Sequence, residues 1–300
     1  MAVGYLNIAI GDIYYGAIAY ADAFALLAPS REALQSMITI VEKFCNSRGI
    51  TISTNPILKK TKTKCMCFNT KEAPRPLKLY NKPLPLVDSW PHLGHTISAD
   101  ETPTADMELR CNQLTGKFHN LRQELGRQDP LVFMTLINVY LLCLYGSSLW
   151  DLGAEVTEKV DKTWNSMIRQ VFGLPFQTHR YILNSISGAK HIRLKLLSRF
   201  KNFYIQLKKS NRPEVEHLLR LQERDQRSVF GRNCALVRDS TNSPSVAEAN
   251  INSVSVHPVP LGEQWKIDCL KELLSVRRGE GTLAQFTKED LEAQIHLICT

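Results

Sequence analysis

The sequence predicts an α+β chain: a partial antiparallel sheet with helices over residues 1–100, an all-helical bundle over 101–240 and a short helical tail over 264–300. Three observations carry this. The first hundred residues hold short apolar runs separated by turn residues. From residue 101 onward apolar positions recur at steps of three and four, the helical period. Residues 241–263 are rich in Ser, Asn, Val and Pro, contain no Lys or Arg, and read as a linker. Three hundred residues with 44% apolar and 22% charged content exclude a disordered chain, a collagen and a small disulfide scaffold.

The elements follow in order. The apolar runs Gly16–Tyr20 and Ala25–Ala28 flank Ala21-Asp22-Ala23-Phe24, which predicts a hairpin with a polar tip. Ser30 is placed to cap a helix with Glu32 in its first turn, and Leu34, Met37, Ile38, Val41 and Phe44 keep helical spacing up to Gly49. A basic loop over 59–64 precedes an expected strand, Cys65–Phe68, and Pro74–Pro91 suggests a second hairpin. Thr102-Pro103 opens a helix whose stripe is Met107, Cys111, Leu114, Phe118, Leu121 and Leu125, and Gly126 closes it. Asp129-Pro130 opens the next. Leu131–Trp150 carries no charged residue, and about twenty apolar residues can span a bilayer. Thr135, Asn138, Gly146, Ser147 and Ser148 interrupt this run and no Lys/Arg cluster flanks it, so a buried helix is expected and no membrane partner. Glu155–Phe172 and Lys190–Lys209 are further helices, the latter with Leu196, Phe200, Phe203 and Leu207 on one face. The tail holds helices around Trp265–Leu270 and Lys288–Ile298.

Charge is distributed unevenly. The formal net charge is +8, yet the stretch between Asp161 and Glu214 contains no acid and eleven cations, so the remainder of the chain is slightly acidic. Trp164, Phe172, Phe176, Tyr181, Phe200, Phe203 and Tyr204 interleave those cations. A one-signed surface beside aromatics suits a phosphate backbone. The alternative is a solvated basic face over an aromatic core. Eight scattered cysteines form no CxxC pair, which suits reduced thiols in the nucleus or cytoplasm. The apolar N-terminus has no basic flank or clean cleavage site, so no secretory signal is expected. A zinc site from Cys65, Cys67, His92 and His95 is the competing metal reading.

Gly16-Ala-Ile-Ala-Tyr20-Ala21-Asp22-Ala23-Phe-Ala-Leu-Leu-Ala-Pro-Ser30 resembles the Tyr-Ala-Asp-Asp signature of non-LTR retrotransposon (LINE-type) reverse transcriptases. Ala33-Leu34-Gln35, Asn55-Pro56, Lys62-Thr63-Lys64-Cys65 and His92-Leu93-Gly94-His95 are similar to later stations of that family, in order. So are Tyr145–Asp151, Trp164-Asn165, Leu174-Pro175, Thr178–Tyr181, Ser187-Gly188 and the terminal Ile298-Cys-Thr300. The resemblance implies the late palm and primer-grip hairpin in residues 1–100, the thumb in 101–240 and the C-terminal tail in 264–300. Asp22 would be a metal-binding carboxylate within the box Tyr20, Ala21, Asp22, Ala23. Tyr20, Lys62, Lys64, His92, Gly94 and His95 would lie near nucleotide and primer. Arg180, Lys190, Arg193, Lys195, Arg199, Lys201, Lys208 and Lys209 would track an RNA template and DNA primer. Magnesium and nucleoside triphosphates are the cofactor and small substrates that the family implies.

Three departures bear on activity. Ala23 stands where the family has its second aspartate. The chain starts just before the hairpin, without the fingers and early palm that supply the other carboxylate. Ile57–Thr61 resembles a small insertion that blurs the lysine register. Two ions need more negative charge than one carboxylate provides, and Asp12 is the nearby substitute. The expectation is a truncated RNA-directed DNA polymerase that binds template–primer but is inactive alone, with a marginally stable first hundred residues. The alternatives are the end of an active enzyme whose start is mis-assigned, or a decayed element product with no selected role.

Overall fold

The computed structural model describes residues 8–10, 12–54, 62–70, 75–126, 129–141, 144–153, 157–188, 191–242, 264–277 and 288–299. Lys190, Asn55-Pro56, the 57–61 stretch, Cys143, most of the expected linker and Thr300 lie outside the described residues. The chain divides into two units, Met1–Ala105 and Asp106–Thr300. The expected tail thus falls in the same unit as the helical bundle.

Among the described residues of the first unit the strands pair only with their immediate sequence neighbours, giving four two-stranded antiparallel ribbons. They are β1 (Ala9–Ile10) with β2 (Ile13–Tyr14), β3 (Ala17–Tyr20) with β4 (Ala23–Leu26), β5 (Lys78–Leu79) with β6 (Lys82–Pro83), and β7 (Ser89–His92) with β8 (His95–Ser98). Tight turns fix the last two registers. Tyr80 (φ 51°) with Asn81 (φ 58°), and Leu93 (φ 49°) with Gly94 (φ 78°), put two left-handed residues at each tip, the conformation that matches strand twist. One helix, α1 (Arg31–Asn46), lies between the second and third ribbons in sequence. Ser30 caps it, accepting from the Ala33 N–H at 3.2 Å. Ile38 of α1 joins Leu77, Leu79 and Leu84 in a small core, with Leu26, Leu34, Ile52, Cys65 and Tyr80 packed against it.

Two expectations change here. The strand over Cys65–Phe68 is a single parallel bridge, Cys65 opposite Leu86. Cys65 N–H donates to Pro85 O (3.0 Å) and Val87 N–H to Cys65 O (2.9 Å). Asn69, at φ 54°, turns the chain before a longer ladder can form. The single hairpin over 74–91 is replaced by two, at 78–83 and 89–98. Pro83, Pro85 and Pro91 lack the N–H that a continuous ladder would need.

The second unit is helical: α2 (Thr104–Leu125), α3 (Pro130–Leu136), α4 (Thr157–Phe172), α5 (Arg180–Ser187), α6 (Ile192–Lys208), α7 (Pro213–Gln222), α8 (Val229–Asn242), α9 (Gln264–Arg277) and α10 (Lys288–Cys299). One continuous core runs through it, from Met107 and Phe118 of α2 to Ile267, Leu270, Ile295 and Cys299 of the last two helices. Asp129 starts α3 as expected, its Oδ1 accepting from Leu131 N–H (2.8 Å) and Val132 N–H (3.2 Å).

The long helix expected over Leu131–Trp150 is broken. A π-helical turn occupies Ile137–Leu141, and Gly146 (φ 78°) leads into a short 3₁₀ turn, Ser147–Leu149. Thr135 and Asn138 donate back to the carbonyls of Leu131 (3.0 Å) and Met134 (2.9 Å), a pattern that bends helices. No helix among the described residues is long and apolar enough to cross a membrane.

Trp150 follows this turn and is fully buried. Its Nε1–H donates to the buried carboxylate of Asp106 on α2 (2.9 Å). Asn233 on α8 brackets the same turn: its Nδ2 donates to Trp150 O (2.8 Å) and its Oδ1 accepts from Leu152 N–H (3.0 Å). The Tyr145–Asp151 segment is therefore a structural hub.

Candidate nucleic-acid interface

The Asp22 turn is built by four residue pairs, Ala17 with Leu26, Ile18 with Ala25, Ala19 with Phe24 and Tyr20 with Ala23. Leu27 N–H adds a bond to Gly16 O at 2.8 Å. Ala21 and Asp22 form the two-residue loop, and Ala21 takes φ 52°, a conformation that disfavours a Cβ. Asp22 is exposed at the tip, and all of β3 is exposed, Tyr20 at 68%. The expected hairpin is present, but its tip is Ala21-Asp22 alone, because Ala23 and Phe24 pair with Tyr20 and Ala19 as part of the second strand.

Its ligating capacity is small. Ala23, the residue after Asp22, carries no side-chain oxygen. Among the described residues, no three His, Cys, Asp or Glu side chains come together as a metal-binding group. Asp12 lies in the separate turn between β1 and β2. One exposed carboxylate does not fit a pair of divalent ions, each of which requires several oxygen ligands.

His92 and His95 face each other across the first pair of the β7–β8 hairpin, with Leu93-Gly94 as the turn. Lys64 is drawn onto the Trp90 ring, its Nζ 4.0 Å from the ring centroid, whereas Lys62 is exposed. The Cys65 thiol is pushed up to about 11, first by burial and then by the neighbouring Cys67.

In the helical unit, tertiary pairing redistributes the cations. Asp161 of α4 is fully buried and receives Arg180 Nη1 at 3.1 Å and faces His191 Nε2 at 3.1 Å. His191 caps α6, its Nδ1 accepting from Arg193 N–H (3.2 Å), so the ring proton belongs on the Nε2 that faces Asp161. Burial pushes the Asp161 carboxyl up, but His191, Arg180 and Arg193 outweigh it and hold it below its ordinary value.

Lys195 lies 4.7 Å from the Trp164 ring centroid and donates to Asn138 Oδ1. Lys208 pairs with Glu223 at 3.3 Å and lies over the Tyr204 ring, whose hydroxyl also donates to Glu223. Arg193 and Arg199 are half-buried, and Lys201 and Lys209 are exposed. The acid-free run in sequence is therefore met in space by Asp161 at its border and by Glu223 from beyond α7.

Sequence reasoning left Arg169 unused. Its Nη2 donates to Thr178 O at 2.7 Å, and its guanidinium lies 5.6 Å from the Phe176 ring centroid. Burial and then the adjacent Arg180 charge hold Arg169 below its ordinary value. No local pattern in the sequence marks Arg169, because its contacts with Thr178 and Phe176 form only when the loop between α4 and α5 folds back onto α4.

Comparison with protein-family models, with curated proteins and with solved structures finds no match for this chain.

Proposed function

We propose that this chain is a reverse-transcriptase-like protein of the non-LTR retrotransposon type that binds template–primer nucleic acid and does not extend it. On this reading residues 1–100 correspond to the late palm and primer-grip hairpin, and the helical unit to the thumb. The observation that carries the reading is the β3–β4 turn: a Tyr-Ala-Asp hairpin tip projecting from two paired strands, with Ala23 opposite Tyr20. Its lone carboxylate supports the loss of polymerase chemistry, since phosphodiester formation by two metals needs ligands this turn lacks. Binding is supported by the basic helical unit, where Lys201 and Lys209 remain exposed beside the half-buried Arg193 and Arg199.

The test uses the full chain and a fluorescent RNA–DNA hybrid. Anisotropy should show binding that weakens steeply with salt, and Lys201→Glu with Lys209→Glu should lower affinity roughly tenfold and flatten the salt slope. Primer extension with magnesium or manganese should give no product. Extension above background would overturn the loss of chemistry, and salt-independent or undetectable hybrid binding would overturn the nucleic-acid reading.

A further inference from the structure

Seven aromatic residues interleave the cations of the 162–212 segment, and the fold treats one of them differently. Trp164, Phe172, Tyr181 and Phe200 are buried, and Phe203 and Tyr204 pack partly buried against the same core, whereas Phe176 is 82% exposed. An exposed phenylalanine alone needs no explanation. Here the carrier is ordered in a particular way. Phe176 sits in the loop between α4 and α5, and that loop is tied at both ends. Thr178 Oγ1–H and N–H both donate to Pro175 O (2.7 and 3.1 Å). Leu174 N–H donates to Arg169 O (2.8 Å), and Arg169 Nη2 closes the loop on Thr178 O (2.7 Å).

The surroundings are cationic. Arg169 stands 5.6 Å from the ring centroid, and Arg180 opens α5 four residues later. The two guanidiniums are near enough to repel each other, which lowers the proton affinity of Arg169 after burial has done so. Asp161 partners Arg180, but its carboxylate is also shared with His191. An additional anion at this corner would relieve the repulsion. A flat apolar ring, one face polarised by a guanidinium, beside a surplus of positive charge is complementary to a nucleotide: base on the ring, phosphate toward the arginines.

We infer that Phe176 is a stacking platform for an unpaired base of a nucleic-acid strand, with Arg169 and Arg180 positioned for the adjoining phosphate. This rests on the nucleic-acid reading above and adds a location and a preference: a single-stranded stretch is held at the α4–α5 loop, whereas paired duplex is held by the exposed lysines. Because the loop is fixed by its own hydrogen bonds, the platform is organised before the strand arrives, which limits the ordering cost of binding.

The experiment compares three labelled probes with the full chain: a single strand of about 12 nucleotides, a blunt hybrid, and a hybrid with an unpaired overhang. Phe176→Ala should weaken the single strand and the overhang probe roughly tenfold and leave the blunt hybrid unchanged. Phe176→Trp should keep the affinity, and its added fluorescence relative to wild type should be quenched by the single strand. If Phe176→Ala binds all three probes as wild type does, the platform is refuted while the nucleic-acid reading stands. If it weakens all three equally with an unchanged circular dichroism spectrum, the ring is a general contact and the proposed preference fails. If wild type binds none of the probes, the nucleic-acid reading fails and the platform with it.

Discussion

The two units solve the problem of holding a chain together by different means. The helical unit buries several of its largest side chains outright: Trp150, Trp164, Phe118 and Phe200 have no exposed surface. The first unit cannot do this. Its ribbons are two strands wide, and Ile18 (53%), Tyr20 (68%) and Phe24 (45%) on the β3–β4 hairpin stay largely in water. A lone two-stranded hairpin is at best marginally stable. What the first unit has instead is polar side chains of α1 bonded to the backbone of the 75–80 segment. Gln35 Nε2 donates to Lys78 O (2.9 Å) while its Oε1 accepts from Lys78 N–H (2.8 Å), a pairing that imitates a ladder rung. Arg31 adds bonds to Arg75 O (2.8 Å) and Pro76 O (2.9 Å), and Glu42 accepts from Tyr80 N–H (3.1 Å). Where apolar area is scarce, a helix can complete a sheet edge with its polar face.

The contrast breaks most readily at Asp161. Asp161→Asn leaves Arg180 and His191 facing a neutral amide in a buried site, and should destabilise the helical unit by about 3 kcal/mol at neutral pH. The native carboxyl lies below its ordinary 3.8, so its contribution is complete above that value and is lost as pH falls through the native one. Urea unfolding should therefore separate wild type from Asp161→Asn at pH 7 and bring them together well below pH 3.8. Amide exchange in residues 1–105 should be unaffected; equal acceleration there would mean that the two units are one cooperative body.

A smaller effect probes the other side. Gln35→Ala removes two hydrogen bonds to the Lys78 backbone and should cost about 1–2 kcal/mol. Exchange should quicken at β5 and α1 and remain unchanged in α4 and α6. A Gln35→Ala protein with wild-type protection at β5 would show that the rung contributes nothing.

The smallest expected change is favourable. Leu93 takes φ 49° at a turn position that suits Asn or Gly. Leu93→Asn should stabilise the β7–β8 hairpin by roughly 0.5–1 kcal/mol, seen as slower exchange across Ser89–Ser98. Faster exchange there would locate the strain elsewhere.

Much of the local structure was legible because it is written within one or two turns of chain. Ser30 and Asp129 announce their helices, the Met107–Phe118 stripe is buried where its period requires, and the Asp22 hairpin lies between the two runs that flank it. Long-range pairing was not legible. The Cys65–Phe68 strand depends on a partner at Leu86 and survives as one bridge. Leu131–Trp150 has helical content, but it is interrupted by the π-helical turn at Ile137–Leu141 and by Gly146, and the buried partners of Trp150, 44 and 83 residues away, leave no mark in the local pattern. For the candidate interface, a count of cations could not foresee that Asp161 and Glu223 fold back onto the block, nor that Phe176 alone among its aromatics is left to solvent.

The bracket around Trp150 also sets a timetable. Asn233 contributes both of its amide atoms to the turn, and it is made long after the indole and Asp106 have left the ribosome. During synthesis the growing protein carries a large apolar side chain whose seat is unfinished for some eighty residues. A nascent chain halted before Asn233 would expose that indole and become a client for chaperones, whereas one released just beyond it could close the seat.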